Sequence, residues 1–262
     1  ETREEILVWT DVSLHSMRFI GPPFTFGIRQ VSGLITIISP NASIAVEDFA
    51  VWMGRDDFFV YKGGVNTLPC TVKQYVFSDL NQAQTQKIFC GVNSAFSEIW
   101  WFYPSSSSLE NDRYVVWNYT NNLWYYGNLF RTAWLDRGIK DFPIGASSDG
   151  YLYNHEFGLD DGSTDPASPI SSFIESSQVD IGQGDNFAFV NRIIPDISFS
   201  TSTVSDPSAN VILKSRNFPG GGFQQTDTTG VTQTATTPVE LYTEKADIRL
   251  RGRSMTLRVE SN

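Results

Sequence analysis

The chain has 262 residues, 40% hydrophobic and 18% charged, and its apolar runs fall well short of the roughly 18 residues a membrane helix needs, so the composition is that of a folded, non-membrane chain. A net charge of −10 argues against a surface that holds nucleic acid by its phosphates. Aromatic residues are abundant instead: Trp 7, Tyr 10 and Phe 19 stand against 19 Lys and Arg, which points to stacked layers or subunits.

Short apolar runs bounded by Gly, Asn, Asp or Pro predict strands at Ile6–Trp9, Val51–Met53, Phe58–Tyr61, Ile99–Tyr103, Tyr114–Tyr119 and Tyr151–Tyr153. Thr71–Gly91 departs from this pattern. Val72, Tyr75, Val76 and Leu80 stand at helical spacing there, with Thr71 as N-cap, which predicts one or two short helices. Composition changes near Gly158, since all seven Trp lie between Trp9 and Trp134. The Gly-, Pro- and Asp-rich stretch that follows breaks ladders and favours turns. The expected organisation is a region over 1–157, a linker over 158–169 and a second region over 170–262.

The first region repeats. Ile6-Leu-Val-Trp9 turns at Asp11 into Leu14–Phe19, and Ala50-Val-Trp52 turns at Asp56-Asp57 into Phe58–Tyr61. Glu98-Ile-Trp100-Trp101 then turns through Glu110–Asp112 into Tyr114–Trp117, and Ser147-Ser-Asp149-Gly150 leads into Tyr151–Tyr153. The steps are 43 residues from Trp9 to Trp52 and 48 from Trp52 to Trp100, the repeat length of propeller blades. A four-stranded blade cannot bury both faces alone and stacks on its neighbours through large flat side chains. Trp9, Trp52, Trp100, Trp101 and Trp117 are therefore the expected inter-blade residues. Three and a half blades do not close a ring, so blades upstream of Glu1 or an open arc are expected.

In the second region, apolar–polar alternation at Ile170–Ile174, Phe187–Ile194, Val211–Leu213, Val239–Tyr242 and Ile248–Val259 predicts a small antiparallel β-sandwich. Two polar stretches, Ser198–Ser208 and Gly220–Thr237, read as long loops. Ile248 and Leu250 share one parity whereas Met255, Leu257 and Val259 share the other, so a bulge or turn is expected near Gly252. The fold class is thus all-β, a propeller-like part followed by a sandwich-like one.

No catalytic, cofactor or metal set emerges. There is no G-x-S-x-G, and Gly145–Gly150 fails it at the fifth position. His15 and His155 sit inside predicted hairpins and read as strand histidines with hydrogen-bond partners. Cys70 and Cys90 make neither a disulfide framework nor a metal site and read as ordinary thiols. The acid pairs Glu47-Asp48, Asp56-Asp57 and Asp160-Asp161 would point to opposite strand faces, so they read as turn acids and not as a glycosidase pair. Asp161–Asp165 falls short of a calcium loop, Gly220–Gly222 is no phosphate cradle, and the sequons at Asn41 and Asn118 are chance matches. Arg249, Arg251 and Arg253 alternate onto one strand face, which suits contact with a neighbouring subunit.

The strings Phe19-Ile-Gly-Pro-Pro-Phe24, Ile37-Ile-Ser-Pro-Asn-Ala42, Val51-Trp-Met-Gly-Arg-Asp56, Leu68-Pro-Cys-Thr71, Glu98-Ile-Trp-Trp-Phe-Tyr-Pro104, Glu110-Asn-Asp-Arg-Tyr-Val-Val116, Arg131-Thr-Ala-Trp-Leu-Asp-Arg137, Phe173-Ile-Glu-Ser-Ser177 and Arg249-Leu-Arg-Gly-Arg-Ser-Met255 span nearly the whole chain. Together they resemble structural proteins of short-tailed phages, in particular the tail hub or nozzle, also called tail tubular protein B or packaged-DNA stabilisation protein. The resemblance implies a virion location in the tail and a hexameric homo-oligomeric ring of propeller-containing subunits below the portal and adaptor. Its partners would be the adaptor and other tail proteins, with genomic DNA crossing the lumen without specific binding. It also implies further sequence upstream of Glu1. An acidic chain suits a channel that must not grip phosphates. The alternative reading is a glycan-binding or glycan-degrading tail propeller, since Trp and Tyr faces also stack on sugars.

Overall fold

The computed structural model describes residues 5–46, 48–158, 170–180, 186–200, 202, 204–218 and 233–261. The chain is mostly β, built of several antiparallel sheets with two short helices among the described residues, and divides into two compact units, Glu1–Gly158 and Leu159–Asn262. Residues 159–169 of the expected linker, with the Asp161–Asp165 loop and Asp160-Asp161 in them, and Gly220–Gly222 and Glu47 lie outside the described residues.

The first unit holds four consecutive meanders. The first sheet is β1 (Ile6–Trp9), β2 (Ser13–Gly21) and β3 (Thr25–Gly33). The second is β4 (Ser43–Val46), β5 (Phe49–Met53), β6 (Phe58–Tyr61) and β7 (Val65–Leu68). After helix α1 (Lys73–Asp79) and a 3-10 helix over Gln82–Lys87 comes the third, β8 (Phe89–Asn93), β9 (Glu98–Tyr103), β10 (Arg113–Asn118) and β11 (Leu123–Asn128). The fourth is β12 (Ala133–Leu135), β13 (Ile144–Ala146) and β14 (Leu152–Asn154).

The turns between these strands are built by their acids. Asp57 closes the β5–β6 turn, where Gly54 N donates to its carbonyl at 2.8 Å and its side chain accepts from Phe58 N at 3.2 Å. Asp112 takes the amide and hydroxyl of Ser105 at 2.7 and 2.8 Å, which ties β9 to β10. At the β13–β14 turn Asp149 accepts from Tyr151 N at 3.0 Å and Gly150 adopts φ +89°, a conformation glycine reaches without a Cβ penalty.

β5 is buried along its whole length because its sheet is covered on both faces. Side chains alternate along a strand, so Trp52, with Tyr61 and Phe59, points toward the first sheet and packs with Leu7 and Leu14. Phe49, Val51, Met53 and Phe58 point the other way, onto Ile99, Trp101 and Val115 of the third sheet. The first strands of successive sheets adjoin: Cys90 N donates to Asn41 O at 2.8 Å, just ahead of β4, and Trp134 Nε1 of β12 donates to Val92 O of β8 at 2.8 Å.

The helical expectation over Thr71–Gly91 needs correction at both ends. Val72, not Thr71, holds the N-cap position of α1, without a side-chain cap. Asn81 caps the 3-10 helix, accepting from Ala83 N at 3.0 Å, and Phe89–Gly91 opens a strand.

Among its described residues the second unit has two antiparallel sheets. One is ordered β15 (Ser172–Glu175), β21 (Ser254–Ser261), β18 (Ser208–Arg216) and β19 (Thr234–Glu240), with β16 (Val179–Asp180) also on β21. The other pairs β17 (Ala188–Ile193) with β20 (Ala246–Gly252). Leu213, Ile248, Leu250 and Met255 form the buried core, flanked by Val190, Ile193 and Ala235. Thr234–Thr237, expected in a loop, belongs to β19. Gly252 is neither a bulge nor a turn within one strand: the chain passes there from one sheet to the other. Arg253 N donates to Arg216 O at 2.9 Å, and a Cβ on Gly252 would lie 2.7 Å from that of Ser215. The parity change follows from this transfer.

Candidate functional site

The chemistry of the first unit concentrates where the third and fourth sheets meet. Asn93 and Glu98 are directly opposed across β8 and β9, so their side chains share a face, and Trp100 lies two residues further along it. Both carboxylate oxygens of Glu98 are engaged, one by the Tyr125 hydroxyl and the other by Trp100 Nε1 at 3.0 Å. Burial, the hydrogen bond to Glu98 and its charge together raise the Tyr125 phenol well above its ordinary value. Glu156, just beyond β14, receives Asn93 Nδ2 at 3.4 Å. Desolvation, with the nearby Glu98 charge second, pushes the Glu156 carboxyl above the usual range. Asn93 is fully buried, and its Oδ1 has no partner.

Trp134 stacks on Trp100 at 5.4 Å and also meets His155 at 4.6 Å. Gly91 makes the approach between the sheets feasible, since a Cβ there would lie 2.5 Å from Trp134 Cδ1. Arg131 is buried and donates from Nε to His155 Nε2 at 2.8 Å. An accepting Nε2 places the imidazole proton on Nδ1 and makes the ring neutral. Burial, and then the Arg131 charge, lower the His155 value to about 4. The Arg131 guanidinium stands 4.4 Å over Tyr153, whose hydroxyl donates to Asp149 at 2.7 Å. Chemically, this face can hold one carboxyl partly protonated near a second carboxylate and keep an imidazole uncharged.

No protein-family model matches the chain, and neither does any curated protein. Among solved structures, the chain is similar to the crystal structure of exo-beta-1,3-galactanase from Phanerochaete chrysosporium with galactose, at 9% identity and a TM-score of 0.31, over 95% of this chain and 71% of that one. At that score the likeness bears on neither fold nor activity.

Each tryptophan singled out from the repeat touches a neighbouring sheet. Trp9 meets Trp52 at 5.5 Å, Trp101 meets Phe58 at 5.0 Å, Trp117 meets Phe49 at 6.1 Å, and Trp100 takes Trp134. In the second unit Arg249 and Arg251 occupy the exposed face of β20. Arg253 differs from expectation: it lies past the strand end, at the transfer between sheets, and is half-buried. It nevertheless shares a ring with Arg251, since both guanidinium groups stand over Phe187, at 4.3 and 5.1 Å. His15 contacts the Ser13 hydroxyl at 2.9 Å. Among the described residues no group of three or more His, Cys, Asp and Glu is placed to hold a metal ion, and no helix is long and apolar enough to cross a membrane.

Sequence reasoning missed Glu98, Glu156 and Glu5. Glu5 is buried and takes the guanidinium of Arg18 at 2.9 and 3.2 Å, together with the hydroxyls of Ser16 and Tyr61. It thereby locks the first sheet to the second, and chiefly the Arg18 hydrogen bond lowers its carboxyl to about 2. Nothing local to these acids marks them; their partners come from other strands or from the next sheet.

Proposed function

We propose that this chain is a structural subunit of the tail hub, or nozzle, of a short-tailed phage, one of six forming a ring below the portal and adaptor through which the genome passes. In this reading the first unit is an arc of propeller-like blades and the second a β-sandwich. The observation that carries the proposal is the use of the large rings. The tryptophans are spent between successive sheets, which makes a stiff stack, while Glu98, Glu5 and Arg131 are tied into contacts within or between those sheets. Stiffness and broad lateral contacts are what a conduit requires. Electron microscopy of the purified protein and of virions labelled against it tests this: a six-fold ring at the tail is expected, and a monomer, or a label elsewhere on the virion, overturns it. Replacing Arg249, Arg251 and Arg253 by Glu is expected to weaken ring formation more than monomer stability.

A second reading, a glycan-binding or glycan-degrading tail propeller, is favoured by Glu156. This residue has φ +56°, a sparsely populated conformation for a non-glycine residue, and its carboxyl is raised by desolvation and by the charge of Glu98. Depolymerisation of host surface polysaccharide by the parent protein but not by Glu156→Gln would favour it over the conduit.

A further inference from the structure

The β2–β3 hairpin outruns the sheet in which it starts. β1 pairs with β2 only as far as Met17, and beyond that point β2 and β3 pair with each other alone. Phe19 is 69% exposed along this stretch, Ile20 58%, Phe24 77%, Phe26 52% and Ile28 70%. Phe19 opposes Phe26, with the rings edge to face at 5.9 Å, and Met17 opposes Ile28, so the four share one face. On the other face Ile20 closes over Gly27. A lone two-stranded ribbon is marginal in water, and monomers rarely expose so continuous an apolar surface. At about 200 Å² for a fully exposed large side chain, these five residues leave roughly 650 Å² uncovered, close to the ~800 Å² that each partner contributes to a standard interface.

Charge points to the occupant. The chain carries a net −10, yet it has no Asp or Glu between Asp11 and Glu47. Arg18 is committed to Glu5 at the base of the hairpin, so the stretch from Phe19 to Ile28 is uncharged. Two strongly acidic copies repel each other over most of their surfaces, and interface cores are depleted of charge. We propose that this hairpin is an arm that docks on a second copy of the chain. An arm that leaves one subunit to enter the next makes a heterologous contact, which closes into a ring when the rotation allows; the inference therefore rests on the assembly reading above.

The test compares the full chain with a Phe19→Ser/Phe24→Ser/Phe26→Ser variant by size-exclusion chromatography with light scattering. The parent is expected at a multiple of the subunit mass and the variant at the monomer mass, with unchanged thermal midpoint and Trp emission. Hydrogen exchange on the parent gives a second readout independent of the variant: the amides of 18–27 are expected to be protected in the assembled protein and to exchange at least tenfold faster on dilution to monomer. A variant that assembles like the parent overturns the arm and leaves the ring standing. A parent that stays monomeric at every concentration overturns both.

Discussion

A buried carboxylate with four bonds is a single point on which two sheets depend. Glu5→Gln keeps the shape but removes the charge that Arg18 needs, leaving the half-exposed guanidinium facing a neutral, buried partner. It is expected to lower unfolding free energy by roughly 3 kcal/mol at neutral pH, the worth of moving a carboxyl from its ordinary value down to about 2. That loss is read by urea unfolding followed through Trp emission, and it is expected to vanish below pH 2, where the parent's Glu5 is protonated as well. Trp52→Ala removes a fully buried indole whose Nε1 donates to Thr36 O at 3.2 Å, and is expected to cost about 3–5 kcal/mol in the same assay. A change below ~0.5 kcal/mol would mean that the ring carries little of the packing.

Between sheets, the limiting element is the close approach of β8 and β12. Gly91→Ala puts a methyl group into the Trp134 indole and is expected to destabilise the first unit by about 1–3 kcal/mol, the usual cost of overpacking. The near-UV circular dichroism of the Trp100–Trp134 stack is expected to weaken with it. Sequence legibility follows the range of the forces involved. The turns at Asp57 and Asp149-Gly150 are readable because their hydrogen bonds close within a few residues. The start of α1 is not, because Val72 reaches the N-cap position through its packing against the core of the first unit rather than through a cap bond. Blade-length spacing brings Trp9, Trp52 and Trp100 to attention, but the Glu98–Glu156 encounter depends on how the third and fourth sheets stack, which no local pattern encodes. Gly252 is legible as a parity break and illegible as a passage between sheets, since both give the same alternation in one dimension.

At the scale of the molecule, acid acts on the first unit in two windows. His155 has a folded value of about 4 against an ordinary 6.5, so the unfolded chain binds the extra proton first. Stability contributed by neutral His155 is complete above pH 6.5 and is lost as pH falls toward 4, by up to about 3 kcal/mol. Glu5 then gives up its share between its ordinary 4.5 and about 2. Unfolding free energies measured from pH 7 to pH 3 are expected to fall throughout, and His155→Gln is expected to flatten the upper window alone. The strand orders carry a kinetic corollary. Every sheet of the first unit pairs only strands adjacent in sequence, whereas β15 and β21 of the second meet through Ser172 and Ser261, 89 residues apart. Closing that loop must precede its reward, and folding slows as contacts become less local. The tryptophan-rich half is therefore expected to regain its fluorescence early in refolding, while the half built around β21 lags and spends that interval with an unpaired edge open to other chains.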